Sequence, residues 1–127
     1  MEPVVIVILV ALAEYMVFSG LVGRARAKYR IAAPAITGHD VFERTFRVHQ
    51  NSLENLIVFV PAVWVFGAYV SPLWAAGIGV AYIVARAMYA RGYIAAAEKR
   101  GVGSGVTGVV LVVLVIGGLV GAILTYF

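Results

Sequence analysis

The stretch "FERTFRVHQNSLENLIVFVPAVWVFGAYV", Phe42 to Val70, decides how the whole chain is read. From Leu56 onward it is almost wholly apolar and uncharged. Before that, residues 42–55 hold two acids, two arginines, a histidine, a glutamine and two asparagines. No glycine or proline separates the halves before Pro61, so no turn signal divides them. A hydrophobic segment that begins with this much hydrogen-bonding chemistry needs a reason to carry it.

Working outward, the remainder is greasier still. The chain has 127 residues, 63% of them hydrophobic, and a mean hydropathy of +0.99. A soluble domain is about half apolar. A chain this small cannot hide so much apolar surface inside itself, so lipid is the expected solvent. Apolar runs cover about 3–23, 52–71, 73–97 and 105–126, each long enough to cross ~30 Å of hydrocarbon as helix. With the polar run and the basic end of the third segment added, the expected helices are about 3–23, 42–71, 73–100 and 105–126. They make one domain over 1–127: an all-α membrane protein, a four-helix transmembrane up-down bundle with antiparallel neighbours. The first run is too long for a signal-peptide core and is read as a retained helix. Pro61 should kink the second helix. Gly117 and Gly121, spaced GxxxG, read as close helix packing.

Charge sets the orientation. The net charge is +4, and all ten Lys and Arg fall into two blocks. Arg24, Arg26, Lys28, Arg30, Arg44 and Arg47 form one; Arg86, Arg91, Lys99 and Arg100 form the other. A nucleic-acid binder spreads its cations over a polar surface, and this chain does not. Positive charge stays in the cytoplasm, which places the first and third loops there and both termini outside. Tyr69 and Trp74 flank the short outer turn at Ser71-Pro72 as an aromatic belt. With no cysteine, disulfides, thiolate metal sites and a cysteine nucleophile are all excluded. Two histidines and six acids offer no metal site.

Two stripes of polar residues point at each other. Arg47, Asn51 and Glu54 follow i, i+4, i+7 on the second helix, which puts them on one face. Tyr82, Arg86, Tyr89 and Tyr93 follow i, i+4, i+7, i+11 on the third, and Arg100 lies near the same line if that helix reaches it. Arg86 sits ~21 Å along its helix, ~9 Å short of the cytoplasmic boundary. Glu54 reaches a similar depth from the opposite direction. A carboxylate at that depth faces the bundle interior and takes a partner, for which Arg86 is the candidate. A structural ion pair would account for those two alone. The additional Arg47, Asn51, Arg100 and tyrosines exceed what helix registry needs and suit an anionic, polar ligand, because guanidinium forks match carboxylates. Lipid beside such a pocket would admit an apolar second substrate.

These motifs resemble the MAPEG family, the membrane-associated proteins in eicosanoid and glutathione metabolism. "ERTFRVHQNSLE" (43–54) matches the family pattern E-R-x-x-R-x-x-x-N-x-x-E, and "ARAMYARGYIAAAEKR" (85–100) matches R-x-x-Y-x-x-x-Y followed by a basic residue. "RARAKYRIAAP" (24–34) fits the family's first loop. The wording of "RVHQNSLE" is closest to the microsomal glutathione transferase 3 branch. The resemblance implies a homotrimer with three glutathione sites between subunits. By position it implies that Arg47, Asn51, Glu54, Arg86, Tyr89 and Tyr93 bind glutathione, with Arg26 reaching in from a neighbour. His49 falls where some members place a glutamine in the site. Arg100 matches the arginine credited with stabilising the glutathione thiolate, a role that a fixed cation can perform by lowering a thiol's pKa from about 8.5.

Three positions depart from the pattern. Asn55 replaces a tyrosine found in several members. Ala27 replaces a second arginine implicated in leukotriene C4 synthase chemistry. Arg47 is present although the activating-protein branch lacks it. The implied activity is a glutathione-dependent transferase or peroxidase on lipophilic electrophiles or lipid hydroperoxides, in the inner membrane of a bacterium or the endoplasmic reticulum of a eukaryote. Two rivals stand beside it: a non-catalytic lipid-binding scaffold, and a small transporter using Glu14, Glu54 and Arg86. Glu14 itself, mid-way along the first helix, reads as a carboxylate with a partner on a neighbouring helix.

Overall fold

The computed structural model describes all residues, 1–127. Four helices follow one another: α1 (Glu2–Tyr29), α2 (Asp40–Tyr69), α3 (Pro72–Ala95) and α4 (Gly101–Tyr126), with a 3-10 turn at Ala97–Arg100 between the last two. Each is long and apolar enough to cross a membrane. The protein is therefore an all-α, multi-pass membrane protein.

The helix ends are set by local chemistry. α1 runs six residues past the expected end at 23, because nothing in "RARAKY" breaks it. Arg26 and Lys28 in its last turn suit the negative end of the helix dipole. It stops where Arg30 takes a left-handed conformation at φ 56°. α2 starts two residues earlier than expected, at Asp40, where the His39 Nδ1 accepts from the Val41 N–H at 3.1 Å. α2 continues past Pro61 as one unbroken helix. Ser71 caps α3 by accepting from the Trp74 N–H at 3.2 Å, and Pro72 opens the first turn. α3 then ends at Ala95 rather than running to 100. Ala96 is extended, and the chain folds into the 3-10 turn before entering α4.

α2 and α3 form the middle of the bundle. α1 and α4 each pack against both of them and make no substantial contact with each other. The largest core cluster joins Val4, Val7 and Ala11 to Phe59, Phe66, Tyr82 and Leu114. A second gathers Phe18, Val48, Tyr89 and Ala90, and a third holds Val22, Ala25, Ile31 and Phe42 under the first loop. Only 28 of 127 residues are buried, so most of the apolar helix surface is left for lipid or for other chains. Membrane-level hydroxyls are satisfied locally: Thr107 Oγ1 donates to the Gly103 carbonyl at 2.7 Å and Thr45 Oγ1 to Val41 at 2.8 Å.

Glycines set how closely α4 approaches. Gly117 lies against the Phe66 ring and Gly121 against the Tyr69 carbonyl and the Val70 side chain, which confirms their packing role. Gly103 is tighter: a Cβ there would lie 2.5 Å from the Tyr89 nitrogen and 2.6 Å from its Cα. Backbone cannot yield as a side-chain tip can. Gly103→Ala should therefore cost ~1–3 kcal/mol, the usual price of overpacking. Thermal unfolding in detergent should register it as a lowered midpoint, whereas Gly105→Ala, which meets nothing within 4 Å, should not.

Candidate functional site

Arg86 is the hub. It lies on α3 with only 1% of its surface exposed. Its guanidinium donates through Nη2 to Asn51 Oδ1 at 2.7 Å and to Ser52 Oγ at 2.9 Å, both on α2. Its Nε is buried without a partner. The Asn51 side chain is held in place by Asn55, whose Nδ2 donates to Asn51 Oδ1 at 3.0 Å and to its carbonyl at 2.8 Å. Asn55 thus serves as a positioning residue for the Arg86 acceptor.

From Arg86 a line of rings and cations runs to the end of the bundle that carries both basic segments. The Arg86 Cζ lies 4.2 Å from the Tyr89 ring centroid. Tyr89 stacks on Tyr93 with centroids 5.5 Å apart. Arg100 closes the line, its Cζ 5.9 Å from the Tyr93 centroid. Arg100 arrives there through the 3-10 turn and not along α3, as the spacing had suggested. The turn folds back so closely that a Cβ on Gly92 would lie 2.5 Å from the Lys99 carbonyl oxygen. Only glycine admits that approach.

The expected meeting of Glu54 with Arg86 does not occur within the chain. Glu54 pairs with Arg47 at 3.3 Å, and the two side chains are 56% and 45% exposed. The helix turns ~100° per residue. The buried face of α2 is centred on Val48, Ser52 and Phe59. Asn51 sits at its edge and can turn inward to Arg86, while Arg47 and Glu54 fall on the outward side. Tyr82 leaves the stripe for the core, where it stacks on Phe59 at 3.9 Å.

Two further candidates lie elsewhere in the chain. His49 stacks on Tyr15 of α1 at 4.8 Å, with its Nδ1 buried and unpartnered. Arg26 donates to the Ala35 carbonyl at 2.7 Å and lies 5.0 Å over the Phe42 ring, closing the first loop. Within one chain, then, Asn51, Arg86, Tyr89, Tyr93 and Arg100 form one continuous array, while Arg47 and Glu54 pair with each other on the exposed side of α2. His49 and Arg26 lie apart from it. Ser52 was missed by stripe reading. Its signal was a hydroxyl on the α2 face formed by Val48, Leu56 and Phe59, where every polar atom needs a partner. Glu14 on α1 forms no direct ion pair within the chain.

An array of fixed cations, phenols and amides, with Arg86 and Tyr89 buried and Arg100 exposed at its end, is suited to hold an anionic polar molecule. Comparison with known proteins agrees in kind. The MAPEG family model matches residues 4–120. An uncharacterized protein of Synechocystis is 46% identical over 105 residues, 83% of this chain and 77% of its own length. Microsomal glutathione S-transferase 2 of Mus musculus is 52% identical over 83 residues, 65% of this chain and 56% of its own. Leukotriene C4 synthase of Cavia porcellus is 37% identical over 83 residues, 65% of this chain and 55% of its own. The chain thus spans little more than half the length of these two mammalian relatives. The transferase relatives carry the name of branch two, where the wording of residues 47–54 had suggested branch three.

Proposed function

The chain belongs to the MAPEG family, and from that membership and the Arg86 array we propose that it is a membrane glutathione transferase. The observation that carries this reading is the unbroken line Arg86–Tyr89–Tyr93–Arg100. Glutathione has two carboxylates, an amine and a thiol. Arg86, with one nitrogen unpartnered, and Arg47 offer guanidinium donors to the carboxylates. Glu54 offers an acceptor to the amine. Tyr89 and Tyr93 wall the path to Arg100, the cation assigned to the sulfur.

The reaction divides accordingly. The thiol loses its proton to water, and a nearby cation favours the thiolate. The thiolate sulfur forms a bond to an electrophilic carbon of a lipophilic substrate, and the displaced group leaves with the electron pair. With a lipid hydroperoxide the sulfur instead attacks the O–O bond and releases the alcohol. A second glutathione then completes the disulfide, and water carries away the other oxygen. The chain contributes position and charge rather than a covalent intermediate.

The exposed Arg47–Glu54 edge supports a site finished by another copy, hence a homotrimer with glutathione between subunits. Arg26 and His49, remote from the array in their own chain, are assigned to a neighbour's site. The first and third loops, with Arg100, are assigned to the cytoplasmic side by their charge.

Calorimetry tests the reading directly: glutathione titrated into the detergent-solubilised protein should give saturable heat. No heat, with retained binding of a fatty acid, would favour a non-catalytic lipid-binding scaffold instead. Glu54→Gln separates site from structure. An exposed pair contributes at most ~1 kcal/mol to stability, so the unfolding midpoint should barely move. Glutathione affinity should fall about five- to tenfold, because a charge-assisted bond to the amine becomes a neutral one.

A further inference from the structure

We propose that the outward face at the end of α3 binds the headgroup of an anionic glycerophospholipid, with Arg91 and Lys99 holding its phosphate. This site is separate from the array around Arg86 and does not depend on the transferase reading. A surface cavity of about 370 Å³ lies there, lined by Met88, Arg91, Gly92, Ala95 and Lys99. Arg91 and Lys99 are both exposed, and neither forms an ion pair within the chain, although Glu98 adjoins Lys99 in sequence. Arg91 comes from the helix and Lys99 from the 3-10 turn that folds back over Gly92, so the break at Ala96 is what brings the two to one cavity.

The apolar surface below the cavity fixes the occupant. Val80, Val84 and Met88 are all exposed, and they line the same face of α3 as Arg91. From Val80 to Arg91 is about 17 Å along the axis. That is close to the depth of one leaflet, half of a hydrocarbon core ~30 Å thick. A ligand with phosphate at one end and acyl chains for the other ~15 Å matches both parts. Free phosphate or a soluble phosphate ester would use the cations and leave the apolar stripe unused. A zwitterionic lipid would bring a second positive charge beside two existing ones.

The test uses the whole protein in a neutral detergent, with bound lipid counted by native mass spectrometry. Phosphatidylglycerol should be retained about tenfold or more over phosphatidylcholine. Arg91→Gln with Lys99→Gln should abolish that preference, at about fivefold per cation removed. Arg24→Gln with Lys28→Gln, which together remove an equal charge from α1, should leave it intact. Millimolar glycerol 3-phosphate should not displace the lipid; displacement would assign the site to a soluble phosphate and overturn the proposal. Equal retention of the two lipids by the wild type would overturn it as well. Should the double variant not fold, a photoactivatable phosphatidylglycerol on the wild-type protein decides. Label between residues 80 and 99 supports the site, and label confined to other helices refutes it.

Discussion

Arg86→Met should lower glutathione affinity by about a hundredfold while leaving the protein about as stable as before. The two effects separate because they draw on different terms. In the empty site Arg86 is a desolvated cation with neutral acceptors, Asn51 at 2.7 Å and Ser52 at 2.9 Å, and one nitrogen without a partner. Replacing such a buried charge by an apolar side chain of similar length removes its desolvation cost and leaves the Ser52 hydroxyl without its partner, two effects of opposite sign and similar size. Binding has no such compensation: losing one partner of a desolvated guanidinium–carboxylate contact costs ~2–5 kcal/mol. Affinity by calorimetry and midpoint by thermal unfolding, measured on the same preparation, check both halves. Affinity within threefold of wild type would remove Arg86 from the site. A large fall in the midpoint would instead make it a structural pin between α2 and α3.

Arg100→Ala should slow conjugation about ten- to thirtyfold at pH 7 and hardly at all above about pH 9. The magnitude follows from ionisation. A thiol with a pKa of about 8.5 is only a few per cent thiolate at neutral pH. A cation that lowers this pKa by one or two units raises the thiolate fraction roughly ten- to thirtyfold, and no further gain is available once the thiol is fully ionised. The sign is fixed: the wild-type rate should level off at a lower pH than the variant's, and the two curves should converge where both thiols are ionised. Arg100→Lys should restore most of the low-pH rate, since charge and not fork geometry is what acts on sulfur. Arg100 is exposed at the end of a 3-10 turn, so the midpoint of unfolding should be unchanged. A loss independent of pH would assign Arg100 to substrate positioning instead.

What could be read from the chain divides along physical lines. Four helices were legible because length and hydropathy decide spanning without reference to any neighbour. The GxxxG contact was legible because small residues at that spacing have few other uses. The end of α3 was not. Nothing in "IAAAEKR" forbids helix, and the break at Ala96 comes from tertiary contact, with Gly92 admitting Lys99. Periodicity found the α3 stripe with its buried Tyr82, Arg86 and Tyr89, yet it misplaced Glu54. Spacing of i, i+7 leaves residues near one meridian but does not say where the core boundary crosses it. Asn51 lies just inside that boundary, and Glu54 just outside. Ser52 escaped notice because one hydroxyl among apolar residues has no pattern; only its buried partner reveals it.

Arg44 ties the start of α2 to the end of α3. Its Nε donates to the Ile94 carbonyl at 3.2 Å, near the start of α2 and two residues before the chain breaks at Ala96. That bond is a strut between the segment entering α2 and the segment leaving α3. Both basic connections are thereby fastened to one another at a single point. Loss of that bond in Arg44→Met should therefore loosen the turn that holds Arg100, read as faster amide hydrogen exchange at residues 96–100.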